Sequence, residues 1–393
     1  MEICSLEKCT GCCSCENKCP KSCIRMEYDQ NGFLRPHIEE SECIKCLLCV
    51  KVCPSNKETE LEGKDSKAYK AWSNDLNTRR NSSSGGIFSE LAKEVLTQGG
   101  IVFGAAFNEK FKLQHIDISN LSELSKLRGS KYIQSDTSRS YKKVLDYLNK
   151  GKLVLYSGTP CQVDGLNHYL NKKYDNLITV DVLCHGAGST KVFNDSIEYL
   201  SRQYNSIPKY IQFRYKRKSY SESDFRITFN NNKIFSKVLY ISPYGYLFAK
   251  RLIVRQSCLN CKYSTRVRVS DITLGDYQNS DTRYQSKNEK KNGVSIVLAN
   301  SIVGEEILNR IRNNIFCESV SFEETVKCCS TLKRENSYNE KNFIKFFEDY
   351  NSKSFLEIIK KDYKAPFMVK FQYFIGRDRY ISLVNHVKSI IRR

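Results

Sequence analysis

Apolar positions along this chain fall into two rhythms. In "SGGIFSELAKEVLTQGG" (84–100) they recur at 87, 88, 91, 92, 95 and 96, one face of a helix closed by Gly99 and Gly100. "IVFGAAF" (101–107) follows as a continuous apolar run of strand length. "YKKVLDYLNKG" (141–151) returns to helical spacing, and "KLVLYS" (152–157) and "LITVDVLC" (177–184) read as strands. "VSIVLAN" (294–300) is another strand, leading into a helix through Ile311. Strands alternating with helices predict an α/β body, a mixed α+β arrangement of sheet and flanking helices. Residues 209–238 alternate in strand fashion instead and predict an antiparallel insertion.

The first fifty residues follow neither rhythm. "CTGCCSCENKCP" (9–20) and "CIKCLLCVKVCP" (43–54) repeat one pattern, and "IRMEYDQNGFLRPHI" between them reads as a hairpin turning at Asn31-Gly32. A polar stretch, 55–67, reads as a linker. The expected organisation is a small α+β head over 1–62, a body in two segments, 68–150 and 151–335, and a basic helical tail over 336–393.

The repeat, C-x2-C-x2-C-x3-C-P, has the spacing of bacterial two-cluster ferredoxins. Three close thiolates grip one 4Fe-4S cubane on a tight loop, and the fourth, before the proline, reaches the other cluster. Cys9, Cys12, Cys15 and Cys53 are therefore expected to hold one cluster, and Cys43, Cys46, Cys49 and Cys19 the second. Structural zinc would give no reason for the crossed Cys-Pro arrangement. Cys4, Cys13 and Cys23 are left as small buried or surface thiols.

Composition narrows the class. Hydrophobic residues make up 40% of the 393, yet the longest apolar stretches reach seven residues, far short of a membrane span. The start, "MEICSLEKCT", lacks the layout of a signal peptide, so a cytoplasmic protein is expected. Eighteen cysteines in close spacings then point to metal rather than disulfides.

The net charge of +20 is uneven: residues 1–62 carry 8 Lys/Arg against 11 Asp/Glu, leaving +23 on the rest. Basic surface implies anionic partners or ligands. No nucleic-acid module is recognisable, and none is expected to bind. From Lys353 the chain has ten Lys/Arg against three Asp/Glu, mixed with Phe, Tyr and Ile. A solvated helical tail packing on the body is one reading, and docking to an anionic membrane surface or partner is the other.

Cys161 and Cys184 each follow an expected strand, in "SGTPCQ" and "VLCHG", and turns after parallel strands gather at one edge. With "CLNC" (258–261) they would complete a four-thiolate site; independent buried cysteines, or a zinc half-site or dithiol at "CLNC", are the alternatives. Cys317, Cys328 and Cys329 read as packing thiols.

From Ser82 to about Cys329 the chain resembles the coenzyme F420 hydrogenase/dehydrogenase beta-subunit family, in both its N- and C-terminal segments. The pieces that carry the resemblance are "SSSGGIFSELAKEVL", "GSKYIQS" (129–135), "GTPCQVDGL", "VDVLCHG", "SCLNCKY" and "SDITLGDY" (270–277), in the family's order. With its ferredoxin-type head the chain looks like the stand-alone bacterial branch, often met near polysaccharide synthesis. The resemblance implies FAD and a third 4Fe-4S cluster on Cys161, Cys184, Cys258 and Cys261.

For the flavin, "NSSSGGIF" offers hydroxyl caps in Ser83 and Ser84, close backbone approach at Gly85 and Gly86, and a helix start that favours a pyrophosphate; a merely well-capped helix is the plain alternative. Arg128, Lys131, Gly158, Thr159 and Asp276 join the expected cofactor contacts, while Asp271 and Asp276 could equally pair basic residues. Lys131 and His185 are the candidate catalytic residues, though a solvated lysine and a satisfied loop histidine would look the same. Lys216, Arg217, Lys218, Arg266 and Arg268 are candidates for a surface that steers the acidic head, or an external ferredoxin, onto the body. The function expected is an FAD-dependent iron–sulfur oxidoreductase passing electrons from ferredoxin or a similar donor to a small-molecule two-electron acceptor. The alternative is a non-catalytic electron-transfer subunit acting with a partner oxidoreductase subunit.

Overall fold

The computed structural model describes residues 1–57, 66–216, 223–277, 291–333 and 340–375, together with 380, 383 and 384. In the head, β1 (Ile24–Tyr28) and β2 (Leu34–Ile38) pair antiparallel. Asp29 closes the hairpin by accepting the N–H groups of Asn31 and Phe33 at 3.0 and 2.9 Å. The helices Ser14–Lys18 and Leu48–Lys51 follow the two cysteine loops.

The body strands are β3 (Lys67–Ser73), β4 (Ile101–Phe107), β5 (Leu113–Ile118), β6 (Val154–Gly158), β7 (Leu177–Val182), β8 (Pro208–Tyr215), β9 (Asp224–Phe229), β10 (Ile234–Val238), β11 (Ile272–Asp276), β12 (Ser295–Ala299) and β13 (Ile315–Val320). Eight of them form one mixed sheet in the order β13-β3-β12-β11-β7-β6-β4-β5. The centre, β4-β6-β7-β11, is parallel, and β5, β12, β3 and β13 flank it antiparallel.

The continuous apolar runs are explained by burial on both faces of this parallel centre. On one face Val102, Leu155, Val180 and Ile272 pack with Leu91 and Val95 of the helix Ile87–Thr97 and with Ile307 and Leu308 of the helix Ile302–Arg310. On the other, Phe103, Val154 and Tyr156 meet Val144 and Leu148 of the helix Ser140–Asn149 and Val163 and Leu166 of the helix Pro160–Leu170.

The expected insertion is a separate antiparallel sheet, β10-β9-β8. Its Phe213, Phe225 and Phe229 share a core with Phe193 of the helix Thr190–Tyr204 and Tyr244 of the helix Pro243–Ala249. The first tail helix, Glu340–Ser352, adds Phe343, Phe346, Phe347 and Tyr350 to the same core. Among the described residues no helix is long and apolar enough to cross a membrane.

Candidate functional site

The two cysteine loops share an unusual backbone. Gly11 and Lys45, and likewise Cys13 and Leu47, stand at equivalent places in the repeat, and all four have positive φ, between 53° and 65°. Three of these are not glycine, so the left-handed conformation costs energy that the surroundings must offset. The result wraps each loop round a small cavity. One is lined by Cys9, Cys12, Cys15 and Cys53, with Cys4 and Cys13; the other by Cys19, Cys43, Cys46 and Cys49, with Cys23. Each cavity thus gathers three thiols of one motif and the remote thiol of the other, the crossed sets expected from the spacing. Cys23, left aside in the sequence, lies 3.4 Å from Cys19, Sγ to Sγ.

The head is seated on the body at its first cavity. Thr137 donates to the Cys12 carbonyl at 3.0 Å, and Gln134 to the carbonyls of Thr10 and Gly11 at 3.2 and 3.1 Å. Arg255, fully buried, donates to the carbonyls of Cys9 and Leu34 and to Gln134 Oε1. Ser14 donates to the Gly165 carbonyl at 2.7 Å. Gly165 is required there: a Cβ would lie 2.8 Å from Ser14 Oγ and 3.0 Å from Cys12 Cβ. Gly165 is about one helical turn beyond Cys161 in the same helix, so the first cavity and Cys161 lie about a turn apart.

Cys161 and Cys184 come to the same edge of the sheet, as the parallel register demands. β6 and β7 run side by side, with Gly158 opposite Asp181, so the turns after them open at one edge. Thr159, capping the helix Pro160–Leu170 with Gln162, places its Oγ1 3.1 Å from Cys161 Sγ. The Ala187 N–H, just past Cys184, points at Cys258 Sγ at 3.4 Å. Burial above all, and then the neighbouring Cys184, Cys258 and Cys261, push the Cys161 thiol up, while the Thr159 hydroxyl works the other way. Among the described residues no three His, Cys, Asp or Glu side chains are set to hold a single metal ion. Four thiols are the donor chemistry that a 4Fe-4S cluster takes.

At this edge opens a cavity of about 460 Å³, within the range of roughly 300–1,000 Å³ typical of cofactor pockets. Its wall includes Cys161, Cys184, His185, Gly158, Thr159, Ser83, Ser84, Gly86, Arg128, Lys131 and Asp276, and Thr10 of the head reaches it. Gly85 lies behind, its N–H on Ser295 Oγ at 2.9 Å.

The serines do not cap the helix as expected. Ser83 accepts the Ser130 N–H at 2.7 Å and Ser84 donates to the Val294 carbonyl at 2.7 Å, because both are drawn to neighbouring loops. The N-cap is Gly86, with no side-chain cap, so the helix Ile87–Thr97 presents an uncapped start to the cavity.

Lys131 donates to the carbonyls of Leu127, Arg128 and Gly129 at 2.9–3.2 Å, and burial lowers its pKa to about 7. His185 faces the Phe248 carbonyl at 3.2 Å, and burial lowers it to about 4, so the ring is neutral near pH 7. Asp276 is paired with Arg214, which also donates to Tyr132. Asp271 instead accepts from Thr179 and Ser301 and serves the sheet.

The expected steering surface is largely overturned. Arg268 is buried and paired with buried Asp181 at 3.0 Å. Lys216 turns inward to the carbonyls of Arg79, Ser84 and Asn292 at 2.6–2.8 Å. Buried polar groups need partners, and these carbonyls and that carboxylate supply them to the two cations. Arg266 is exposed but paired with Glu323. Arg217 and Lys218 lie outside the described residues. Sequence reasoning also missed Arg255, which lies outside every quoted motif, and Gln134, which sits inside "GSKYIQS" but carries no expected role there.

Comparison with known proteins agrees segment by segment. Residues 8–57 match the 4Fe-4S dicluster domain. Residues 68–142 match the N-terminal part, and residues 151–325 the C-terminal part, of the beta subunit of coenzyme F420 hydrogenase/dehydrogenase. A curated relative from Porphyra purpurea, an uncharacterized protein in the rpl9-rpl11 intergenic region, is 39% identical over 51 residues, 12% of this chain and 68% of its own. A solved chain of the F420-reducing NiFe hydrogenase complex from Methanosarcina barkeri, xenon-derivatized, aligns with a TM-score of 0.48 at 19% identity, covering 76% of this chain and 96% of that one. The head is thus an iron–sulfur dicluster domain.

Proposed function

Because this chain belongs to the coenzyme F420 hydrogenase/dehydrogenase beta-subunit family, matching both of that family's segments, we propose that it is an iron–sulfur flavoprotein oxidoreductase. Cys9, Cys12, Cys15 and Cys53 hold one 4Fe-4S cluster and Cys19, Cys43, Cys46 and Cys49 the second. Cys161, Cys184, Cys258 and Cys261 hold a third beside FAD in the large cavity. The observation that carries this reading is the cavity itself, which meets two of the body cysteines, an uncapped helix start and Thr10 of the head in one wall.

When bound, FAD supplies the conversion between single-electron and paired-electron transfer. In sum, two molecules of a one-electron donor such as a reduced ferredoxin each give up one electron. With two protons from solvent, these reduce one organic acceptor by an electron pair. The residues present suit that work. The start of the helix Ile87–Thr97 and Arg128 favour the pyrophosphate, while the Arg214–Asp276 pair fixes the far wall. Lys131, with its pKa near 7, can hold or release a proton near neutrality. Neutral His185, turned to a backbone carbonyl, orients the loop after Cys184. All eighteen cysteines are free, as suits a cytoplasmic protein. We place it with polysaccharide synthesis only through the branch it resembles.

Anaerobic purification with iron, sulfide and flavin quantitation tests the reading. About twelve irons and one FAD per chain are expected. Eight irons without flavin would reduce the protein to a dicluster carrier and remove the catalytic reading.

A further inference from the structure

Burial in the tail stops abruptly. Ile358 and Ala365 are buried, but the helix Phe367–Ile375 has no buried residue at all. Phe367, Met368 and Phe374 are 75%, 55% and 84% exposed. Phe367, Phe371 and Phe374 stand at i, i+4 and i+7 and share one face, the first two rings 6.1 Å apart. Large exposed aromatic faces of this kind mark interaction sites.

The charge on the helix and on the segment leading into it identifies what the face meets. Lys360, Lys361, Lys364 and Lys370 are all exposed. The sequence from 353 to 393 has ten Lys/Arg against three Asp/Glu. Aromatic side chains flanked by lysines fit the interface of an anionic bilayer, where rings enter the headgroup region and cations meet lipid phosphates. The nine described residues Phe367–Ile375 rise about 14 Å, less than a bilayer's width, and a face of aromatic rings beside lysines suits a helix lying in the plane of the surface. A second copy of this chain would bring like charge to the same place.

We propose that the face Phe367-Phe371-Phe374, with the lysines around it, docks this protein on an anionic lipid surface. The docking fixes an orientation. Tyr373, on the body side of the helix, stacks on Tyr240 at 5.9 Å, and Tyr240 is 37% exposed and lines the large cavity. The rim of that cavity therefore lies beside the lipid-facing helix, whatever the cavity holds.

The test is co-sedimentation of the full chain, purified anaerobically, with phosphatidylcholine vesicles containing or lacking phosphatidylglycerol. Binding is expected only with phosphatidylglycerol, and it should fall as salt rises. The double variant Phe367→Ser/Phe374→Ser should weaken binding by at least about tenfold while iron content and melting temperature stay unchanged, because neither ring is buried. Lys360→Glu/Lys364→Glu/Lys370→Glu should lose it through charge alone. Equal binding to neutral vesicles, no binding by the parent chain, or full binding by the Phe double variant would each overturn the proposal. So would vesicle indifference combined with capture of an acidic ferredoxin through the same phenylalanines, which would assign the face to a protein.

Discussion

Arg255 carries the sharpest quantitative expectation. Its guanidinium is fully buried and forms no ion pair with a carboxylate among the described residues. It lies over the Phe33 ring at 5.4 Å, donates to three oxygens of the head and body, and comes within 3.9 Å of Cys9 Sγ. A buried cation without a counter-charge costs several kcal/mol, and under the proposed ligation the negative charge of a thiolate cluster on Cys9 would supply the balance.

Replacing it by methionine keeps the packing on Phe33 but removes three charge-assisted hydrogen bonds. At roughly 1.5–3 kcal/mol each, discounted for regained packing, holoprotein stability should fall by about 3–5 kcal/mol. The electrostatic effect is separate. A unit charge 3.9 Å from the sulfur interacts by about 4 kcal/mol at an effective dielectric of about 20. An added electron spreads over the cluster, so about a quarter of that reaches the Cys9 corner. This is about 1 kcal/mol, or on the order of 40 mV.

EPR-monitored redox titration should therefore find the midpoint of that cluster more negative in Arg255→Met. Arg255→Lys keeps the charge and should stay near the parent potential while losing part of the stability. An unmoved midpoint in Arg255→Met, or an equal shift in Arg255→Lys, would refute the electrostatic account.

Other perturbations separate the sites. Cys161→Ser should lower iron from about twelve to about eight per chain and leave both head clusters visible by EPR; loss of all iron would argue against a distinct third site. Cys53→Ser should disturb the same EPR signal as Cys12→Ser, and Cys19→Ser the same as Cys46→Ser, since the crossed cavities pair them so; the uncrossed pairing would contradict the geometry. Gly165→Leu drives a side chain into Ser14 and Cys12, so it should unseat the head, with a loss of about 1–3 kcal/mol read by thermal melting. Lys131 titrates near 7 in the flavin-free fold because burial lowers it, while the unfolded chain keeps its ordinary value near 10.4. Between those values the unfolded state binds more protons, so this residue makes stability rise with pH. Melting temperatures of flavin-free parent and Lys131→Met should diverge from pH 7 to 10, the parent gaining more, and parallel curves would count against the shift.

What the sequence made legible follows from which interactions are local. The thiol sets could be read from spacing because a cubane demands four sulfurs at short, fixed separations along the loop. The strands β4, β6, β7 and β12 could be read because sheets buried on both faces need continuous apolar runs. β3 escaped because "KAYKAWS" has neither a continuous apolar run nor a clean period-2 alternation; only its place between two antiparallel neighbours, β12 and β13, buries Ala68 and Ala71. The basic residues misled for the same reason. A lysine or arginine carries no mark in the sequence of whether it meets water or a stranded carbonyl, and Lys216, Arg255 and Arg268 each found a buried partner supplied by a distant segment. The charge of +20 is therefore not all surface: part of it lies inside, on the loops that bound the cavity and on the seam between head and body. A redox protein gains from that placement, because cations buried near thiolates offset the repulsion of gathered negative charge as surface cations, screened by salt, cannot.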